Sequence, residues 1–278
     1  MRDSRFGVAV YLLLVLILGG NIFMLWRLES TLASRQDGRD KSASAVKAMA
    51  KPDWSLTVVT DSTCKDCSQL DEILKFIKDS PVNVVAEKNF DLAKDPKATQ
   101  AAIDLYHLDK LPALVISGPA PSEPELSKFY TTFGGVVSGK GISGQVWLLT
   151  KIQPPYKEVK TGQVRGLFSV TYLSDRTCVN CYDVKKHQNA FTHISMTPSS
   201  EKFLDVSDPD GQVLVKKYKI TQVPTIVVTG DLGEYQGFQD IWSGVGTHEA
   251  DGAYVFRVGI KDMGTYRDLK SGKVIAGK

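Results

Sequence analysis

Two pairs of cysteines are the residues of this sequence best suited to chemistry. Cys64 and Cys67 form one pair, Cys178 and Cys181 form the other, and both lie in the pattern D-x-T-C-x-x-C. Two sulfurs at this spacing can close a disulfide. A thiolate of low pKa can attack a substrate disulfide, and a neighbouring thiol can then resolve the mixed disulfide. The spacing therefore predicts thiol–disulfide exchange, with the first cysteine of each pair attacking and the second resolving.

A strand followed by a helix is predicted around each pair. Residues 55–60 and 167–173 are rich in β-branched or aromatic side chains, which is typical of strands. After the first pair, apolar side chains recur at the spacing of an amphipathic helix, namely Leu70, Ile73, Leu74 and Ile77. A thinner stripe follows the second pair, at Val184, Phe191 and Ile194. We expect each first cysteine in the first turn of its helix, where free backbone N–H groups and the helix dipole stabilise a thiolate.

The chain also contains an internal repeat. The cysteine motifs align at a shift of 114 residues, and Leu111-Pro112 aligns with Val223-Pro224 in the same order. Residues 156–162 align with residues 266–272, where a Thr/Ser-Gly step predicts a turn between two short strands. The repeat predicts two domains, residues 54–165 and residues 166–278.

Strands alternate with helices within each copy. In the first copy, residues 82–86 are predicted as the next strand and residues 101–106 as the helix before Pro112. This alternation predicts the α/β class, with a central mixed sheet flanked by helices in each copy.

These features resemble the thioredoxin superfamily, in which a C-x-x-C motif at a strand-to-helix junction faces a loop with a cis-proline. The resemblance covers most of residues 54–278. It implies that Leu111-Pro112 and Val223-Pro224 are cis peptide bonds beside the cysteines, and that the backbone there binds an extended substrate peptide. Tandem copies that follow a membrane anchor, which residues 7–26 predict, are similar to extracytoplasmic disulfide oxidoreductases and protein disulfide isomerases.

The residues next to the cysteines depart from the familiar Trp-Cys-Gly-Pro-Cys motif. Asp61 and Asp175 lie three residues before each first cysteine, and we interpret them as helix N-caps. Arg176 predicts a lower pKa for Cys178 than for Cys64, because a nearby positive charge favours a thiolate. The dipeptides between the cysteines indicate neither a reducing nor an oxidising role; they are Lys65-Asp66 and Val179-Asn180.

The N-terminus predicts a membrane anchor. Residues 7–26 carry no charge, and as a helix they would cover about 30 Å, the thickness of a bilayer core. A cleaved signal peptide is the alternative, but its apolar region is shorter. Residues 1–26 are therefore predicted to be a short tail and a single transmembrane helix, and the polar residues 27–53 are predicted to form a linker. The positive-inside count points the other way, but acidic residues are interspersed on the flank after the span and a large domain can be translocated despite its charges, so we expect the C-terminal domains outside the cytoplasm.

Other classes of partner and cofactor are not indicated. The net charge of +3, from 34 basic and 31 acidic residues, gives no concentrated basic surface for nucleic acid. Residues 134–140 match most of a phosphate-binding loop, but Gly141 replaces the Ser/Thr that binds magnesium, so we predict a flexible glycine-rich loop. His187 and His193 are assigned to a surface helix rather than to a metal site. The two cysteine pairs are too far apart in sequence for a zinc ribbon. No cofactor is predicted.

The predicted function is that of a single-pass, membrane-anchored, extracytoplasmic thiol–disulfide oxidoreductase acting on protein substrates. A separate membrane redox partner is expected, because one transmembrane segment without a cysteine cannot relay electrons. Two alternatives stay open: a non-catalytic binding or scaffold protein with structural disulfides, and a module that delivers copper. The sequence does not give the direction of electron flow.

Overall fold

Residues 51–277 are described by a computed structural model of the chain. The predicted membrane span, residues 7–26, and most of the predicted linker lie outside the described residues. Between residues 51 and 277, no helix is long and apolar enough to cross a membrane.

The N-terminal half contains one five-stranded sheet with helices on both faces. Its elements in chain order are β1 (Asp53–Thr60), α1 (Asp71–Asp79), β2 (Asn83–Asp91), α2 (Pro96–Tyr106), β3 (Lys110–Leu111), β4 (Ala113–Ser117), α3 (Pro124–Phe133), β5 (Gly134–Val137), β6 (Val146–Leu149), β7 (Tyr156–Glu158) and β8 (Val164–Arg165). The strand order in the sheet is β2-β1-β4-β6-β5. β1 is parallel to β2 and antiparallel to β4, so the sheet is mixed.

The C-terminal half repeats this plan. Its elements are β9 (Phe168–Ser174), α4 (Lys186–His193), β10 (Ser200–Asp205), α5 (Pro209–Lys217), β11 (Gln222–Val223), β12 (Thr225–Gly230), a 3₁₀ turn (Leu232–Glu234), α6 (Phe238–Ser243), β13 (Gly246–His248), β14 (Tyr254–Phe256), α7 (Ile260–Met263), β15 (Tyr266–Asp268) and β16 (Val274–Ile275). The strand order β10-β9-β12-β14-β13 matches that of the first sheet.

The central strands are buried on both faces, as the runs of apolar residues in β1 and β9 predict. In the N-terminal half, Leu56 and Val58 pack under α1 and α3, whereas Val59 packs under α2 on the opposite face. In the C-terminal half, Tyr172 and Leu173 divide in the same way between two apolar clusters. The prediction of α/β sheets flanked by helices is confirmed.

A small three-stranded sheet follows each large one. β3 pairs with β7, which pairs with β8, and β11 pairs in the same way with β15 and β16. The predicted turns between short strands at residues 156–162 and 266–272 are therefore confirmed. The first strand of each hairpin pairs in the antiparallel direction with the short strand that precedes a repeated proline. Leu111 pairs with Lys157, and Val223 pairs with Arg267.

The glycine-rich loop predicted at residues 134–140 is wrong for its first four residues. They form the edge strand β5, paired with β6. Gly134 is required there for close approach, since a Cβ atom at this position would lie 2.2 Å from the Trp147 ring. Packing against one tryptophan therefore determines the structure of a segment whose composition favours a loop.

The hairpin β7–β8 also joins the two halves. Arg165 Nε lies 2.6 Å from Asp231 Oδ2, and its Nη2 donates to Glu234. The Tyr156 hydroxyl donates to the same Glu234 carboxylate, and Tyr156 is buried. One hairpin thus contacts its own sheet and the 3₁₀ turn of the other half.

Candidate functional site

Both cysteine pairs are disulfide-bonded and lie in turns at the ends of β1 and β9. The Cα–Cα distance is 5.4 Å in each pair. The prediction that each first cysteine occupies the first turn of a helix is wrong, because α1 begins at Asp71 and α4 begins at Lys186. The N-terminus of each helix therefore does not lie at its first cysteine.

Side-chain hydrogen bonds hold the N-terminal cysteine turn outside the helix. Asp61 Oδ1 accepts hydrogen bonds from the Thr63 backbone N–H at 2.9 Å and the Thr63 hydroxyl at 2.6 Å. The Cys64 N–H donates to the Asp61 carbonyl at 3.0 Å. The interpretation of Asp61 as a helix N-cap is wrong, since its carboxylate closes a local turn.

The C-terminal turn has the same hydrogen bonds. Asp175 Oδ1 accepts from the Thr177 N–H at 2.8 Å and from the Thr177 hydroxyl at 2.5 Å, and the Cys178 N–H donates to the Asp175 carbonyl at 2.9 Å. The N-cap interpretation is wrong here for the same reason. The aspartate of each D-x-T-C motif shapes the turn that presents the first cysteine.

The second carboxylate oxygen of each aspartate binds a cation from the hairpin. Lys157 Nζ lies 2.5 Å from Asp61 Oδ2, and Arg267 Nε lies 3.0 Å from Asp175 Oδ2. Burial would raise the pKa of Asp61, but the hydrogen bonds from Lys157 and Thr63 outweigh it and lower that pKa below its ordinary value. Sequence reasoning missed these ion pairs, although the repeat aligns the Tyr-Lys of one copy with the Tyr-Arg of the other.

A further aspartate, at the end of the neighbouring strand, anchors each turn. Asp91 Oδ1 accepts from the Ser62 N–H at 3.0 Å, and this bond is the main reason that the pKa of Asp91 lies below its usual range. Asp205 Oδ2 accepts from the Arg176 N–H at 2.5 Å. Burial opposes ionisation of Asp205, but hydrogen bonds from Ser207 and Arg176 lower its pKa to about 2.

Arg176 is already paired through its side chain. Its Nε lies 3.2 Å from Asp205 Oδ2, and its Nη2 lies 2.5 Å from Asp208 Oδ1. Two carboxylates therefore offset the charge that would favour a Cys178 thiolate. The lower pKa expected for Cys178 stays a prediction, but its proposed cause is weakened.

The repeated prolines lie next to the cysteine turns. The Leu111-Pro112 and Val223-Pro224 bonds are cis, as the resemblance implies. Cys64, Cys67, Leu111 and Pro112 line one groove with a volume of about 380 Å³. Leu111 is itself buried, and polar or charged residues line much of the rest of the groove, among them Lys65, Gln69, Asp91 and Lys94.

In the C-terminal half, a hydrogen bond links the cysteine turn to the cis-proline. The hydroxyl of Tyr182, the residue after Cys181, donates to the Pro224 carbonyl at 2.7 Å. The structure therefore brings the four predicted site residues of each half into one neighbourhood.

The two pairs differ in which cysteine is the more exposed residue. In the N-terminal pair Cys64 is partly exposed and Cys67 is buried, whereas in the C-terminal pair Cys178 is buried and Cys181 is partly exposed. The dipeptides differ as well. Lys65 is a charged, exposed residue, while the aligned Val179 is apolar and 91% exposed.

One histidine assignment is confirmed and the other is wrong. His193 is exposed on α4, as predicted. His187 lies on the same helix but is only 3% exposed, and its ring packs edge-on against Phe256 with a centroid distance of 4.7 Å. Burial lowers the pKa of His187 to about 4. Within residues 51–277, no group of three His, Cys, Asp or Glu side chains is arranged to bind a metal ion.

Comparison with known proteins identifies no family for the chain. No protein-family model matches it, and none of the curated proteins matches it. Among solved structures, it is similar to the NTD_N/C domain of alkylhydroperoxide reductase AhpF from Enterococcus faecalis (V583), with 15% identity over 70% of this chain and 90% of that chain and a TM-score of 0.19. A mutant of AhpF from the same organism matches with 16% identity, the same coverages and a TM-score of 0.21. TM-scores this low give the two structures no weight here.

The chain's own geometry defines a class. Each half has a mixed sheet flanked by helices, a C-x-x-C disulfide at the end of its central strand and a cis-proline beside that disulfide. This arrangement is consistent with thioredoxin-like domains, and it supports a redox function of the general thiol oxidoreductase kind.

Proposed function

We propose that the protein is a membrane-anchored thiol–disulfide oxidoreductase that acts on protein substrates outside the cytoplasm. Residues 54–165 and 166–278 would be its two catalytic domains, residues 7–26 its anchor and residues 27–53 its linker. The observation that carries the proposal is the repeated placement of a disulfide beside a cis-proline, at Cys64–Cys67 and at Cys178–Cys181.

The chemistry at the N-terminal site is a pair of thiol–disulfide exchanges. In the direction that reduces a substrate, the Cys64 thiolate attacks one substrate sulfur, forms a mixed disulfide and expels the other substrate sulfur as a thiolate. The Cys67 thiolate then attacks Cys64, closes the protein disulfide and releases the second substrate thiolate. Two electrons pass to the substrate, and the reverse sequence oxidises it.

The backbone at Leu111-Pro112 would hold the substrate segment at this site, and Val223-Pro224 would do so at the other. A groove beside Cys64 that contains Leu111 and Pro112 supports this role. Cys178 and Cys181 exchange through the same two steps at the second site, where burial of Cys178 and partial exposure of Cys181 favour attack by Cys181. A separate membrane protein would supply or remove the electrons.

A structural role explains such short disulfides poorly. A disulfide between residues three apart closes a very small loop, and in the chain-entropy account small loops gain little stability from cross-linking. The scaffold alternative therefore lacks the stabilisation that would justify two such bonds.

The reduction potential of each pair tests the proposal. The full-length protein in detergent would be equilibrated in glutathione or dithiothreitol buffers, alkylated and digested, and each pair would be counted by mass. A potential of about −120 to −180 mV would indicate oxidation or isomerisation, and about −270 mV would indicate reduction. Disulfides that stay closed below about −300 mV would overturn the proposal in favour of structural bonds.

The topology needs a separate measurement. We expect a membrane-impermeant maleimide to label the reduced cysteines of the full-length protein in intact cells. Labelling only after lysis would contradict the extracytoplasmic placement while leaving the exchange chemistry intact.

A further inference from the structure

Tyr182, the residue that follows Cys181, is a buried anchor. Its backbone N–H donates to the Thr265 carbonyl at 2.8 Å, and its hydroxyl donates to the Pro224 carbonyl at 2.7 Å. The same hydroxyl lies 3.1 Å from Nε2 of His187. Tyr182 is therefore tied to the hairpin segment, to the cis-proline and to α4, and a buried tyrosine whose hydroxyl is fully bonded is held firmly.

The direction of these hydrogen bonds follows from the available protons. A tyrosine hydroxyl has one proton and a carbonyl can only accept, so the Tyr182 proton goes to the Pro224 carbonyl. His187 must then donate its Nε2–H to the tyrosine oxygen. A neutral imidazole with one N–H satisfies this arrangement, and burial lowers the pKa of His187 to about 4, which keeps the ring neutral near pH 7.

The N-terminal site is built differently at the same positions. Ser68 follows Cys67, and its hydroxyl donates to the Gln153 carbonyl at 2.6 Å. Ile73 occupies the position six residues after Cys67, where the C-terminal half has His187 six residues after Cys181. The backbone contact is shared, since the Ser68 N–H donates to the Pro155 carbonyl at 2.8 Å. The side-chain link to a cis-proline carbonyl thus distinguishes the C-terminal site.

We propose that Tyr182, oriented by His187, is a positioning residue that holds Cys181 beside the cis-proline, where the disulfide with Cys178 closes. The inference rests on the proposed function and deepens it at one of the two sites. The consequence is that the equilibrium between the disulfide and the two thiols shifts toward the disulfide. Cys181 is held in place, so only the turn of Cys178 moves when the bond opens.

The redox step affected is the equilibrium with glutathione. Two molecules of reduced glutathione become one glutathione disulfide, the Cys178–Cys181 bond breaks, and two electrons and two protons pass to the two cysteines. An anchor that favours the Cys178–Cys181 disulfide makes its reduction by glutathione less favourable.

The test compares Tyr182→Phe with the unaltered full-length protein in glutathione buffers. The variant keeps the ring and loses the hydroxyl. We expect the equilibrium constant for reduction of Cys178–Cys181 to rise about tenfold, which is about 30 mV, the size expected for one lost buried hydrogen bond. Cys64–Cys67, counted by mass in the same sample, should not change.

Tyr235→Phe is a matched control. Tyr235 is also buried in the C-terminal half, and its hydroxyl donates to the Gly166 carbonyl at 2.9 Å rather than to a residue of the site. We expect this variant to leave both equilibria unchanged. An unchanged Cys178–Cys181 equilibrium in Tyr182→Phe would overturn the inference, and so would equal shifts at both pairs or an equal shift in Tyr235→Phe.

Substitutions at His187 keep the inference testable if Tyr182→Phe does not fold. His187→Gln retains an N–H donor for the tyrosine oxygen, whereas His187→Leu has none. We expect the Leu variant to shift the Cys178–Cys181 equilibrium in the same direction as Tyr182→Phe, and the Gln variant to restore most of the original value. Equal shifts in the two variants would overturn the inference. These measurements use glutathione and no protein substrate. A failure of the protein to exchange disulfides with other proteins would therefore contradict the proposed function but not this inference.

Discussion

The two cysteine turns share one polar framework but differ behind the second cysteine. Each turn has an aspartate that bonds a threonine two residues later and a cation from the hairpin, as Asp61 does with Lys157 and Asp175 does with Arg267. The residue after Cys67, however, is Ser68, whereas the residue after Cys181 is Tyr182, whose hydroxyl bonds His187. The comparison shows that the fold fixes where the disulfides are placed and leaves the surroundings of the second sulfur free to differ, so the two sites need not be redundant.

The largest expected effect is loss of exchange at one cysteine pair when its first cysteine is replaced. Cys64→Ser should lower exchange at the N-terminal pair by about a hundredfold or more, because the attacking thiolate is lost, and Cys178→Ser should disable only the C-terminal pair. Turnover of a disulfide-bonded protein substrate and alkylation of each pair would measure this. Loss of exchange at both sites in either single variant would show that the two pairs work in series.

The buried histidine makes the C-terminal half more sensitive to acid. The pKa of His187 is about 4 in the folded protein and about 6.5 in an unfolded chain, so the unfolded state binds its proton first as the pH falls. The stability from neutral His187 is present above pH 6.5 and is lost between pH 6.5 and pH 4. We expect a loss of about 3 kcal/mol from this group.

Denaturant unfolding of the full-length protein at pH 7 and pH 4 would measure that loss. His187→Ile gives the C-terminal half the residue of the aligned position in the N-terminal half, and other groups titrate alike in both proteins. The variant should lose about 3 kcal/mol less than the unaltered protein over this interval. Equal losses would mean that His187 is accessible to protons in the folded state.

The shared framework predicts similar costs when its ion pairs are broken. Asp61→Asn and Asp175→Asn each leave a half-buried cation without its carboxylate, and we expect about 2 kcal/mol of destabilisation in each case, measured by denaturant unfolding. Lys202→Ala is the control, because its pair with Asp210 is exposed and should contribute less than about 0.5 kcal/mol. A large cost at only one aspartate would break the symmetry of the framework.

The smallest expected effect concerns the order of reaction within each pair. Cys67→Ser leaves Cys64 free, and Cys178→Ser leaves Cys181 free; in each case the free thiol belongs to the more exposed cysteine of the pair. We expect each to form a mixed disulfide with oxidised glutathione about threefold faster than the variant that leaves the buried partner, since access limits thiol exchange. Mass spectrometry of quenched time points would give the rates. A faster reaction at Cys178 than at Cys181 would contradict this expectation, because the first cysteine would then be the more reactive one in both pairs.

Features with a local or repeated signature could be predicted from the sequence. The cysteine spacing, the two prolines and the hairpins at residues 156–162 and 266–272 recur in order, and the structure places them as a repeat would. The α/β class follows from the alternation of apolar runs, because a strand buried on both faces and an amphipathic helix each have a distinct period.

What could not be predicted depends on contacts between distant residues. The sequence predicts Cys64 in a helical turn, but Asp61 and Asp91 satisfy the N–H groups of the cysteine turn, and Asp91 lies at the end of another strand. The sequence predicts His187 at the surface, because a polar residue in a thin apolar stripe gives no sign that Tyr182 and Phe256 will enclose it. The sequence predicts a loop at Gly134, because only the distant Trp147 ring shows why a strand needs glycine there.

The hairpin β7–β8 restricts how this protein can be divided or recombined. Within ten residues it supplies Lys157 to the N-terminal cysteine turn, and it supplies Tyr156 and Arg165 to the acidic side chains of the C-terminal half. A chain cut after residue 166 would leave Arg165 without Asp231. It would also expose Tyr156, which lies next to Lys157 in the same strand. A chimera with a different C-terminal half would keep these contacts only if that half also carried acidic residues at the positions of Asp231 and Glu234.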